Sequence, residues 1–155
     1  MNGTQQDGSP PTAVVGMVGA GQLARMTQQA AIALGIELRV LSKDRDSPAV
    51  DAGARHVAGD PCDMKSLLRL AEGCDVVTFD HEGVPPALIS RLAAAGHQVR
   101  PSPAAQLLAQ DKGEARRLLS RSGFPVPPFI EVAQGDVEAV RSFAAAHGWP
   151  LVLKA

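Results

Sequence analysis

Two clusters hold residue types from which chemistry can be built. The first is Gly16-Met-Val-Gly19-Ala-Gly21-Gln22-Leu23-Ala24, where Gly19 to Ala24 follows the pattern G-x-G-x-x-G/A. Glycines let a backbone approach a ligand closely, and free amides of Gln22 and Leu23 at a helix start attract an anion. The same residues also suit a tight strand-to-helix turn that needs positive φ and close packing, and both readings stand. A dinucleotide fingerprint further requires an acidic residue at the end of the next strand, to hold a ribose hydroxyl. That strand ends Leu41-Ser42-Lys43 with Asp44 slightly late, so NAD(P) is poorly supported.

The second cluster is Asp80-His81-Glu82, three ionisable side chains directly after the apolar run Cys74 to Phe79. Glu82 is the candidate ligand contact, an acceptor for hydroxyl or amino groups of a polar substrate. His81, with no identified partner, is a neighbour of the site, and Asp80 is given no role. Further on, Asp111-Lys112-Gly113-Glu114 reads as a capping box, Asp111 accepting from the third amide and Glu114 reaching back, with Lys112 on the surface. Lys154 follows Leu151, Val152 and Leu153 in a segment of buried-strand character, where an unpaired ammonium is expensive. Either the strand emerges there or the lysine meets a buried anion.

These residues need a frame. Ala13 to Val18 reads as a buried strand, and Leu23, Met26, Ala30, Ala33 and Leu34 fall on one face of the next helix, which Gly35 ends. Strands follow at Glu37 to Leu41 and around His56 to Ala58, with a short helix between them after Pro48. Asp63 can cap a helix whose apolar face is Met64, Leu67, Leu68 and Ala71. Cys74 to Asp80 is a strand of the kind buried on both faces, Pro86 to Ala95 a helix, and Gln98 to Arg100 a last short strand. This alternation predicts an α/β fold, a doubly wound parallel sheet. In strand order 3-2-1-4 the switch point lies between strands 1 and 4, whose ends carry Gly19 to Gln22 and Asp80 to Glu82. After Pro101 the pattern changes to consecutive helices over 103–109 and 111–122, with a domain boundary near residue 110, then a stiff FPVPP link, a strand at Phe129 to Val132, a helix after Asp136 bearing Val137, Val140 and Ala144, and a strand at Trp149 to Lys154. The expected division is a disordered tail over 1–12, a first domain over 13–110 and the opening of a second over 111–155.

Composition narrows the function classes. The 155 residues carry 15 Lys plus Arg against 16 Asp plus Glu, a net charge of −1, and only 3% aromatics. Neither the basic tract nor the stacking platform of a nucleic-acid binder is present. No apolar stretch approaches the ~20 residues of a membrane span and no signal pattern opens the chain, so a cytoplasmic protein without membrane contact is expected. Cys62 and Cys74 form no CxxC pattern and are expected as reduced, buried thiols, with no metal ligation. No exposed apolar stripe is evident, which ranks a purely interaction-based role last. A free-standing NAD(P)-binding Rossmann module is the alternative reading.

Read in order, GAGQLARM (19–26), TFDHEGVP (78–85), QDK (110–112), GFPVPPF (123–129) and WPLVLKA (149–155) resemble the N5-carboxyaminoimidazole ribonucleotide synthetases, the PurK family of ATP-grasp ligases in purine biosynthesis. The resemblance runs from Ala13 to the end. It implies a Rossmann-like pre-ATP-grasp domain followed by the start of an ATP-grasp domain. It also implies ATP-dependent carboxylation of 5-aminoimidazole ribonucleotide (AIR) by bicarbonate, through carboxyphosphate, with Mg2+ at the triphosphate. Gly21, Gln22, Leu23 and Glu82 would line the AIR side, and Lys112 and Lys154 would contact ATP. Lys112 stands where many relatives have arginine, and Asp80 where glutamate is common. A homodimer is implied as well. The family's glycine-rich lid and magnesium carboxylates have no counterpart in these residues, so this portion is expected to be inactive alone; no catalytic residue is assigned.

Overall fold

The computed structural model describes residues 12–154. The predicted tail therefore lies, except for Thr12, outside the described residues. The chain divides into two compact units, one ending at Gln106 and the other starting at Leu107.

The first unit is built on four parallel strands, β1 (Val14–Val18), β2 (Glu37–Ser42), β3 (Arg55–Ala58) and β4 (Val76–Phe79), in the order β3-β2-β1-β4. This is the predicted doubly wound order. The register Val18↔Leu41 and Val18↔Phe79 brings the carboxyl ends of the three strands level. The expected fifth strand contracts to one parallel bridge, Val77↔Val99.

Alternation along the strands sends side chains to two faces. Val18, Leu41 and Val77 join Leu67, Leu70, Ile89 and Leu92 of α3 (Met64–Ala71) and α4 (Pro86–Ala94) in one core. Met17, Leu38 and Val40 meet Ala24 and Ala31 of α1 (Gln22–Leu34) and Ala49 of α2 (Pro48–Asp51) in the other. Asp63 caps α3 as expected, accepting from the Ser66 amide at 3.0 Å. Gly35 ends α1 in the left-handed region, φ 65°.

The face of α1 is a correction. Its buried residues are Ala24, Gln28 and Ala31, whereas Leu23, Met26 and Leu34 are 60%, 58% and 72% exposed and Ala30 and Ala33 are exposed too. The physical reason is the helix's close seat: the second core is lined mainly by alanines, and methyl groups let α1 lie nearer the sheet than leucines would. The chain thus carries an exposed apolar stripe that the sequence reading missed. On α3, similarly, Leu70 takes the buried place expected for Leu68, which is partly exposed. Cys62 is exposed and Cys74 half-buried, where both were expected to be buried, and both cysteines are free.

The second unit holds α6 (Lys112–Arg121) and α7 (Val137–His147), with α5 (Pro103–Gln110) spanning the division. Asp111 and Asp136 cap α6 and α7 through the Glu114 and Ala139 amides. Glu114 does not reach back to close a capping box; its carboxylate takes Arg117 and Arg121 at 2.9 and 3.2 Å instead. Phe129 to Val132 and Trp149 to Lys154 are not strands, because neither finds a hydrogen-bonded partner strand among the described residues. Val152 and Leu153 are each 81% exposed, so of the two readings of Lys154 the segment emerges into solvent and the ammonium meets no buried anion among the described residues.

The two faces of α1 separate in a stability measurement. Met26→Ala should change unfolding free energy by less than about 0.5 kcal/mol, as an exposed site does. Ala31→Met, which overpacks the alanine seat, should cost about 1 to 3 kcal/mol. Urea denaturation of the two variants checks both.

Candidate functional site

The parallel pairing of β1 with β4 positions the site. Because Val18 pairs with Phe79, the next residues on the two strands, Gly19 and Asp80, emerge side by side at the switch point. The Asp80 amide donates to Val18 O at 3.1 Å and the Gly19 amide to Leu41 O at 3.0 Å, which fixes both against the sheet. Ala20 is tied to α2 by the Ala49 amide, 3.1 Å from its carbonyl.

Gly19 has φ 111°, a conformation for glycine, and a Cβ built on it falls 1.7 Å from Asp80 Oδ1 and 2.2 Å from its Cγ. The glycine is thus required twice, by backbone conformation and by the carboxylate that fills the missing side chain's place. A Cβ on Gly21 would lie 3.8 Å from Asp80 Oδ2. The Asp80 side chain is only 8% exposed, and its Oδ1 has no hydrogen-bond partner among the described residues. Burial pushes its carboxyl above the ordinary aspartate range, against the pull of His81 and of the Gly21 and Asp80 amides.

His81 Nδ1 accepts from the Gly83 amide at 2.9 Å, which leaves Nε2 3.7 Å from Asp80 Oδ1. The loop is held from behind by Gln106, a buried side chain whose Nε2 donates to His81 O at 3.1 Å. Sequence reasoning missed Gln106; an amide at a buried position of a short helix was the signal available. Gly21, Gln22 and Leu23 are exposed at the start of α1, and Glu82 is exposed on the loop after β4. The paired strands therefore bring the predicted substrate-side residues to one end of the sheet, with Asp80, which had been given no role, between the two segments.

In the second unit Lys112 and Lys154, far apart in sequence, line one cavity of about 600 Å³ together with Arg116, Asp111 and Glu131. Lys112 Nζ also donates to the Ala109 carbonyl. Arg116 is held over the Phe129 ring, 5.6 Å from its centroid. Of the two carboxylates, Asp111 caps α6 and Glu131 pairs with Arg117. Among the described residues no group of three or more His, Cys, Asp or Glu is placed to hold a metal ion. The cavity is thus cationic and suits phosphates, while the residues present do not form a magnesium site.

Residues 12–110 match the family model described as the ribonucleotide synthetase preATP-grasp domain. The chain belongs to this family. It is 47% identical over 142 residues to the N5-carboxyaminoimidazole ribonucleotide synthase of Mycobacterium tuberculosis, covering 92% of this chain and 33% of that one. The Corynebacterium ammoniagenes synthase is 44% identical over 135 residues, 86% of this chain and 33% of the relative. Among solved structures, the Aspergillus clavatus N5-carboxyaminoimidazole synthase in complex with ADP and 5-aminoimidazole ribonucleotide superposes with a TM-score of 0.77 at 30% identity, over 90% of this chain and 37% of that one. The preATP-grasp chain described here spans about a third of the length of these relatives. Among the described residues no helix is long and apolar enough to cross a membrane.

The raised Asp80 carboxyl has a signed consequence. A group that binds its proton more tightly when folded adds stability as pH falls through its raised folded value, and that gain is complete below the ordinary aspartate value, 3.8. Relative to Asp80→Asn, the wild-type chain should therefore gain stability on acidification across that window. Paired urea titrations at pH 7 and at pH below 4 check it; an unchanged difference would show that the carboxyl is not perturbed.

Proposed function

We propose that this chain is the substrate-binding portion of an N5-carboxyaminoimidazole ribonucleotide synthetase. In this reading residues 13–110 form the pre-ATP-grasp domain and residues 111–155 begin an ATP-grasp domain. The observation that carries the reading is the convergence of Lys112 and Lys154 on one cationic cavity, the two positions that the family resemblance marks for ATP. The relatives' names support the reaction and the substrates.

The chemistry runs in two displacements. A bicarbonate oxygen attacks the γ-phosphorus of ATP, the bond to the ADP oxygen breaks, and carboxyphosphate forms. The exocyclic amine of AIR then attacks the carboxyl carbon, phosphate leaves, and the amine gives up a proton. Both steps gather negative charge on phosphate oxygens, which fixed cations stabilise. Lys112 and Lys154 supply point charges, and Arg116, on the same cavity wall, supplies the planar fork that Lys112 lacks. At the other site Glu82 accepts from hydroxyl or amino groups of AIR, and Gly21, Gln22 and Leu23 give the backbone surface against which it lies. No step is routed through Mg2+, for which the described residues offer no ligand set. We assign binding to this portion and turnover to the complete, cytoplasmic protein, a homodimer.

Calorimetric titration tests the reading. The chain should bind ATP saturably, and Lys112→Ala with Lys154→Ala should weaken it tenfold or more, about 1.4 kcal/mol. Glu82→Ala should weaken AIR binding to a similar degree, as loss of a charged hydrogen bond does. Silence toward both ligands, or equal affinities in the variants, would refute it.

A further inference from the structure

A glycine turn at the start of a helix is built to receive an anion, through free amides and a backbone with no side chain in the way. In this chain the place beside the turn is already taken. The atom nearest the absent Gly19 side chain is Asp80 Oδ1, 1.7 Å from where a Cβ would stand, and the carboxylate's other oxygen lies 2.5 Å away. Two strands tie it there, since the Asp80 and Gly19 amides are both bonded into the sheet. A phosphate brought to Gly19 would have to share its space with a carboxylate of the same charge, in a setting where that side chain is 8% exposed and screening by water is weak.

We propose that Asp80 is a specificity-determining residue of the glycine loop, an internal anion that excludes nucleotide phosphates and offers its unpartnered oxygen to an N–H donor of the ligand. The sequence pattern G-x-G-x-x-A is thereby uncoupled from dinucleotide binding: the turn keeps the glycine spacing of the fingerprint while a carboxylate from the neighbouring strand stands against its first glycine and faces any anion brought to the helix start. The buried Oδ1, without a hydrogen-bond partner among the described residues, is the acceptor left over. His81 Nε2, at 3.7 Å, stands outside hydrogen-bond range of it. A ligand that satisfies this atom must bring a donor, such as an amine or a ring N–H. This deepens the proposed function, on which its second half rests: AIR would turn a nitrogen, rather than its phosphate, toward the loop.

The test is an amide-resolved NMR titration of the whole 155-residue chain and of Asp80→Asn and Asp80→Ala, using inorganic pyrophosphate, NADPH and AIR as separate probes. The wild-type amides of Gly19, Gly21 and Gln22 should show no saturable response to pyrophosphate or NADPH. Asp80→Ala should acquire pyrophosphate binding at those amides at least tenfold tighter than the wild type. Asp80→Asn, which keeps the shape and removes the charge, should move in the same direction and serves if the alanine variant loses its dispersed spectrum. Pyrophosphate or NADPH binding at the wild-type loop, or equal affinities across all three proteins, would overturn the exclusion. AIR should shift the same amides in the wild type and bind at least fivefold more weakly to Asp80→Ala; AIR binding unaltered by that change would overturn the donor role. If AIR fails to bind the wild type while pyrophosphate exclusion holds, the donor role and the substrate reading fall and the exclusion stands.

Discussion

The contact between Gly19 and the Asp80 carboxylate is the constraint on which the end of the first unit's sheet, the proposed ligand site, depends. It follows from strand pairing. Once β1 and β4 are locked in the register Val18↔Phe79, the next residue of each strand must share one space, and only a residue without a side chain can stand opposite the aspartate. That packing sets the path of the turn into α1, and so the position of Gly21, Gln22 and Leu23, the residues proposed to meet a ligand. It also buries a charge-bearing group, and the cost of that burial is recorded in the raised carboxyl. The proposed site and a buried charge sit together here, the usual place for a fold to depart from the cheapest arrangement.

The same economy of space explains α1. A core of Ala20, Ala24, Ala31, Ala49 and Ala54 draws helix and sheet close together and leaves the larger side chains of α1 outside. The opposite face of the sheet is packed by Leu41, Leu67, Leu70, Ile89 and Leu92. One sheet is therefore covered by two layers of different chemistry, small side chains on one side and branched ones on the other.

Much of this frame was legible in the sequence because alternation of buried strands with capped helices leaves few topologies open. The strand order, the Asp63 cap, the Gly35 stop and the placing of Gly19 and Glu82 at strand ends all follow from local patterns. The buried face of α1 did not, since hydrophobicity favours leucine for burial while the distance between helix and sheet favoured alanine. Asp80 was unreadable for a related reason: its role comes from the residue across the strand pair, which no local pattern reports. The segments 129–132 and 149–154 show a third limit. Their side chains suit strands, yet a strand exists only where a partner accepts its hydrogen bonds. Lys112 and Lys154 nevertheless reach a common cavity, because capping of α6 at Asp111 and the return of the chain after α7 bring their segments together.

The most direct test of the central constraint is a double-mutant cycle for unfolding free energy on Gly19→Ala and Asp80→Ala. The backbone strain of alanine at φ 111° is common to both arms and cancels, so the cycle isolates the collision with the carboxylate. Gly19→Ala should cost at least about 1 kcal/mol less when Asp80 is already alanine, as residues in direct contact do. Costs that are equal within about 0.5 kcal/mol in the two backgrounds would show that the glycine and the aspartate are independent, and would contradict it.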